Sequence, residues 1–214
     1  MENNKRELEE IEKNLFRSLS EDGFYDIFFG LLYLNFGFSF YLRDILLVPY
    51  DFLFFPIFFG IDFFILFYGK RKITIPRIGF VQFREKRRNK LKKMRRFIII
   101  TVSMSIIIFL ISLVVILPSE TIEFHLGLIT LDFCFIFIPI TLMGYFLDYY
   151  RLYITGLIGG ISLALAELSF MGLLYVIIGV VAFLISGMII TTSGIIMLLK
   201  FIKKYNLENK IRGT

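Results

Sequence analysis

From Phe97 to Tyr150 and again from Leu152 to Leu199 the chain carries no lysine or arginine, whereas 13 of its 24 basic residues fall between Lys70 and Arg96. Such segregation leaves long apolar runs that a soluble core cannot bury. With 57% apolar residues and a mean hydropathy of +0.76 over 214 residues, the composition points the same way. A bilayer is the solvent that accommodates such runs. Six spans are predicted, at 24–42, 50–69, 97–117, 126–147, 152–170 and 172–199. Each is close to the ~20 residues that cross about 30 Å of hydrocarbon. The predicted fold class is all-α: an integral membrane helical bundle of about six transmembrane helices, with an N-terminal amphipathic cytoplasmic helix.

Basic residues near span ends set the orientation, because they are retained on the cytoplasmic side. The 70–96 loop is dense in them, the turn at 43–49 has only Arg43, and 118–125 has none. An even number of spans then places both termini in the cytoplasm of a multi-pass cell-membrane protein, and Arg151, Lys200, Lys203, Lys204, Lys210 and Arg212 agree. Ser169 to Gly172 is short for a turn between two membrane helices, so a five-span arrangement stays open. The chain divides into an amphipathic helix (1–22), a transmembrane hairpin (23–69), a basic cytoplasmic loop (70–96), a four-helix region (97–204) and a tail (205–214). Residues 1–22 lack the apolar core of a cleaved signal peptide, so the first span is expected to persist.

Leu8, Ile11, Leu15 and Leu19 recur at helical spacing and predict an amphipathic helix on the inner membrane surface or on the cytoplasmic loop. Ser20, followed by Glu21 and Asp22, reads as the N-cap of span one. In the loop, Pro76 and Gly79 predict an irregular 73–83 segment that packs on the inner interface. Arg84, Lys86, Arg87, Arg88, Lys90, Lys92, Lys93, Arg95 and Arg96 then run as a helix into span three. Their reading is a topology anchor, or a contact for anionic lipid headgroups or an acidic partner. The net charge of +6 does not imply nucleic acid, because the bases gather at span ends instead of striping a folded domain.

Two segments, Glu21-Asp22-Gly23-Phe24-Tyr25-Asp26-Ile27-Phe28-Phe29-Gly30 and Ile75-Pro76-Arg77-Ile78-Gly79-Phe80-Val81, resemble recurring segments of a group of uncharacterised prokaryotic multi-pass membrane proteins. The resemblance covers about the first hundred residues and brings no activity with it. It implies that Asp26, Gly30, Pro76, Arg77 and Gly79 belong to one unit. Asp26 and Gly30 lie one helical turn apart at the inner end of span one, within reach of the loop. An Asp26–Arg77 ion pair stapling the loop to the membrane domain is the expected form of that unit.

Within the spans the informative residues are acidic. Asp62, Asp132 and Glu167 interrupt spans two, four and five with no basic partner in the later spans, which makes them candidate proton or cation sites or hydrogen-bonded buried acids. Gly156, Gly160, Ala164 and Glu167 share a helical face, and Gly187 and Thr191 repeat the small-residue spacing, predicting close packing of spans five and six. Gly30 belongs with these packing residues. Enzyme chemistry fits poorly: His125 is the sole histidine, and about 30 Å of membrane separates it from Ser193. Cys134 is the sole cysteine, so neither a disulfide framework nor a cysteine zinc site forms within one chain, and no metal or cofactor is expected. The functional expectation is a non-enzymatic membrane module, an oligomeric or accessory subunit with a cytoplasmic docking face. The competing class is a small proton- or cation-coupled transporter or channel using the intramembrane carboxylates.

Overall fold

The computed structural model describes residues 2–45, 51–79, 85–115 and 122–205, and these are helical without strands. In chain order the helices are α1 (Glu2–Ser20), α2 (Phe24–Ile45), α3 (Asp51–Gly69), a π-helical turn at Lys70–Thr74, α4 (Ile75–Ile78), α5 (Glu85–Val115), α6 (Ile122–Leu147), α7 (Arg151–Phe170) and α8 (Val176–Lys204). Among the described residues three segments are long and apolar enough to cross a membrane: Ile129–Leu147, Arg151–Ser169 and Val176–Lys204. Their outward faces carry Leu131, Ile154, Ile161, Ile185, Ile189 and Leu199, all exposed. Apolar surface on that scale is unusual for a soluble monomer and ordinary for a protein solvated by lipid.

The most extensive contact joins two helices remote in sequence. α2 lies antiparallel to α8, with Gly23 against Gly194, Gly30 against Thr191, and Gly37 against Leu184. A Cβ on Gly187 would lie 2.7 Å from Leu34 Cγ and 2.8 Å from the Gly30 carbonyl oxygen. α6 lies antiparallel to α7 through Gly156, which faces Phe137 and Ile140, and Gly160, which faces Phe133. The expected pairing of the two small-residue faces with each other is therefore corrected: Gly156 and Gly160 receive α6, while Gly187 and Thr191 receive α2. Both sets share one cause, since only the missing Cβ lets two backbones come this close. α7 and α8 meet elsewhere, through Gly179 against Ala166 and a Ser162–Ser186 hydroxyl contact of 2.9 Å. Ala164 is half-buried on α7. α2 is the hub: it also packs on α3 and α7, and Tyr33, fully buried, donates its hydroxyl to the Thr155 carbonyl at 2.9 Å.

Local expectations change at two boundaries. α1 runs through Ser20, so Ser20 caps nothing. The chain breaks instead at Gly23, whose φ of +85° is a left-handed conformation that suits glycine, and Asp22 takes the cap role by accepting the Phe24 amide at 3.1 Å. The α1 face turned inward carries Phe16 and Ser20, while Ile11 of the predicted apolar stripe is exposed. Of the 73–83 segment expected to be irregular, the part up to Ile78 is helical, and the helix stops at Gly79 with φ +93°. Pro76 falls in the first turn of α4, where its missing N–H leaves no bond unmade. Residues 80–84, including Arg84, lie outside the described residues.

Met171 to Tyr175 join α7 to α8 as a tight helical hairpin. The amides of Leu173 and Leu174 both return to the Leu168 carbonyl at 3.2 Å, and Gly172 takes a φ of +73°.

Candidate functional site

One end of the bundle gathers the polar chemistry: the start of α2, the end of α3, the first turns of α5, the α6–α7 turn and the end of α8. Two buried carboxylates organise it. Asp22, fully buried, accepts hydrogen bonds from Lys70 Nζ at 2.8 Å and Thr74 Oγ1 at 2.7 Å, and Lys70 also donates to the Leu19 carbonyl at 2.7 Å. The π-turn places Lys70 and Thr74 on one side of the chain so that both reach the same oxygen, Oδ2. Burial pushes the Lys70 ammonium below the ordinary lysine range, and the Asp22 charge and hydrogen bond oppose that shift.

Asp26, one turn into α2, is 1% exposed. Its Oδ2 accepts the Tyr149 hydroxyl at 2.7 Å and pairs with Arg151 Nη1 at 3.0 Å. Arg151 donates a second N–H to the Ser193 hydroxyl. Burial, and after it the Asp26 charge, raises the Tyr149 phenol above its ordinary value, keeping it a protonated donor. Asp26 therefore does not pair with Arg77, which donates to the Ile73 carbonyl at 3.1 Å within its own turn. Arg151 wins the contact because α7 begins at the polar end beside α2, whereas the π-turn commits that side of the loop to Asp22.

A third cluster joins the surface to the bundle. Asp148, held at φ +54° in the α6–α7 turn, accepts from Lys90 at 2.6 Å and lies 3.7 Å from Arg87. Arg87 also lies 3.6 Å from Glu12 of α1 and over the Phe16 ring at 5.0 Å. The first turns of α5 are thereby divided. Arg87, Lys90, Leu91 and Met94 turn inward, while Arg88, Lys92, Lys93, Arg95 and Arg96 are exposed and have no carboxylate partner among the described residues. The Lys86 side chain lies outside the described set.

The three acids singled out inside the spans are not brought together. Asp62 of α3 is buried and accepts from the Asn35 amide of α2. Glu167 is half-buried, with no side-chain partner among the described residues. The Asp132 side chain lies outside the described set, but the α6–α7 register puts its backbone more than one helical turn, roughly 7–9 Å, from the level of Glu167. Among the described residues no three His, Cys, Asp or Glu side chains gather as a metal site.

Sequence reasoning missed Asp22, Lys70, Thr74, Tyr149, Ser193 and Asn35, and read Arg151 only as an orientation marker. Two signals were available. Arg151 is the sole base between residues 97 and 199, and Asn35 is an amide inside an apolar run, so each needs a partner. No family model, no curated protein and no solved structure matches this chain.

Proposed function

We propose that the chain is a non-enzymatic, six-span integral membrane subunit with both termini in the cytoplasm, whose polar end is a rigid cationic platform for anionic lipid headgroups. In this reading α2, α3, α5, α6, α7 and α8 are the spans. The observation that carries it is the split of α5. Two bases are consumed internally by Asp148 and Glu12, which locks the helix, and five point outward directly before the apolar run that starts at Phe97. Bases at that height meet headgroups, each contributing about 1 kcal/mol at an anionic leaflet. Docking α1 and α5 on the bundle pre-orders the platform, so little flexibility is lost on binding.

The test is native mass spectrometry of protein released from nanodiscs of mixed phosphatidylglycerol and phosphatidylcholine. The parent should retain phosphatidylglycerol in excess over its share of the bilayer. A variant with Arg88, Lys92, Lys93, Arg95 and Arg96 changed to Gln should lose that excess while keeping its helicity and melting temperature. Equal retention by parent and variant would sink the lipid platform. Loss of a co-purifying protein with lipid retention unchanged would move the assignment to an acidic partner.

A second reading, proton or cation movement, is supported by Glu167, an acid without a side-chain partner among the described residues on an apolar helix. The Asn35–Asp62 bond favours a structural role for Asp62. Flux into liposomes that vanishes in Glu167→Gln would establish transport and displace the platform as the main activity.

A further inference from the structure

We propose that the cavity between the end of α1 and the last turns of α8 binds a terminal phosphate group, a phosphomonoester. The cavity encloses about 200 Å³, with Glu21 on one side and Met197, Lys200, Phe201 and Lys204 of α8 on the other. Ser18 and Tyr205 complete its lining, and a 3.1 Å contact between their hydroxyls ties α1 to α8. The cavity is separate from the α5 platform. Glu12 and Phe16 meet Arg87, whereas Ser18 lies about 200° round α1 from Phe16.

Charge selects an anion. Lys200 and Lys204 sit one turn apart on the same face of α8, both exposed, and neither has a carboxylate partner among the described residues. The acid in the same cavity, Glu21, is already taken by Arg17 at 2.6 Å. That pair cancels, which leaves two ammonium groups and their N–H donors lining one cavity. Lys204 also lies 5.3 Å from the Tyr205 ring centroid, a contact that orients the charge without neutralising it. A base at the end of a span is ordinary, since it complements the helix dipole and sets orientation. Lys203 serves that end without lining the cavity.

The number of charges selects the ester. A carboxylate or a phosphodiester brings one negative charge, whereas a terminal phosphate carries about −1.5 to −2 at pH 7 with three strong acceptor oxygens. Only the terminal phosphate matches both lysines. Met197 and Phe201 supply an apolar wall for the carbon side of the ester. Two sources offer this group. One is a lipid, whose chains would run along the exposed Ile196, one turn before Lys200 on the same face of α8. The other is a soluble ester. The lipid source rests on α8 crossing the bilayer as read above, while the phosphate site does not.

The test uses the full chain with Arg88, Lys92, Lys93, Arg95 and Arg96 changed to Gln, in phosphatidylcholine nanodiscs, so that the α5 bases contribute nothing. One arm adds phosphatidic acid or phosphatidylglycerol to the bilayer, and the other adds glycerol phosphate or dimethyl phosphate to the buffer. Native mass spectrometry and melting temperature read both arms. The monoester should be held about fivefold more tightly than the diester in at least one arm, and Lys200→Gln or Lys204→Gln should each weaken it about fivefold. Lys203→Gln should leave it unchanged. A preference confined to the first arm assigns the site to a lipid, and one in the second assigns it to a soluble ester. A monoester preference in neither arm, or one that Lys203→Gln reduces as much as Lys200→Gln, overturns the site. With the α5 bases absent throughout, that failure is distinguishable from failure of the platform.

Discussion

At the residue scale, the fold depends on how a few buried charges are matched. Asp22 is fully buried and satisfied by three donors from two segments that lie about fifty residues apart, Phe24 on one side and Lys70 and Thr74 on the other. Removing the cation strands a carboxylate in an apolar site, so Lys70→Met should destabilise by about 3–5 kcal/mol. Thr74→Val, which removes one neutral donor, should cost about 1 kcal/mol. The double variant Asp22→Asn with Lys70→Met should be more stable than Lys70→Met alone, because it removes the orphaned charge. Unfolding in detergent measures all three, and a double variant less stable than Lys70→Met would remove the pair from the account. This chemistry was only half legible in the sequence. The acids and bases of the polar end are conspicuous, and Asp26 was marked as half of a staple. The pairing of the two motifs in one unit points to Arg77 as its partner. The choice between Arg77 and Arg151 depends on which helix packs beside α2, and no local pattern contains that information.

At the element scale, the α2–α8 contact is the interface on which the bundle closes. A Cβ on Gly30 would overlap the Thr191 hydroxyl and lie 2.5 Å from the Thr191 backbone nitrogen. Neither neighbour is the free end of a flexible side chain, so Gly30→Ala must separate two helices and should cost about 1–3 kcal/mol. Gly60 on α3 is the control. A Cβ there meets nothing within 4 Å, so Gly60→Ala should be neutral or stabilise by about 0.5–1 kcal/mol through helix propensity. Equal melting temperatures for the two variants would contradict the close α2–α8 approach. The small-residue positions were readable from their spacing of three and four. Their partners were not, since a glycine face states that something packs closely without stating what. α2 meets α8, the last helix, because the 151–170 and 176–204 segments form a hairpin whose open side accepts α2, a matter of three-dimensional closure.

At the scale of the whole molecule, α2, α3, α5, α6, α7 and α8 alternate in direction so that the charged clusters formed by the described residues fall at one end. The long runs free of Lys and Arg in α6, α7 and α8 mark three segments long and apolar enough to cross a membrane. α2 and α3 are apolar apart from such residues as Asp26, Asn35 and Asp62, and α5 turns apolar only at Phe97, after the charged stretch from Glu85 to Arg96. In the folded chain, partners such as Asn35 for Asp62 and Arg151 for Asp26 compensate part of that polarity. The central claim is that these six helices cross the bilayer alternately with the polar end in the cytoplasm. The most direct test is sidedness of labelling in intact cells and inverted vesicles, using a Cys134→Ser background with single cysteines at Lys92 and Leu173. Both side chains are exposed, and they lie at opposite ends of the bundle. The account predicts that Lys92→Cys reacts with an impermeant maleimide only from the cytoplasmic side and Leu173→Cys only from outside. Reaction of both from the same side would contradict it.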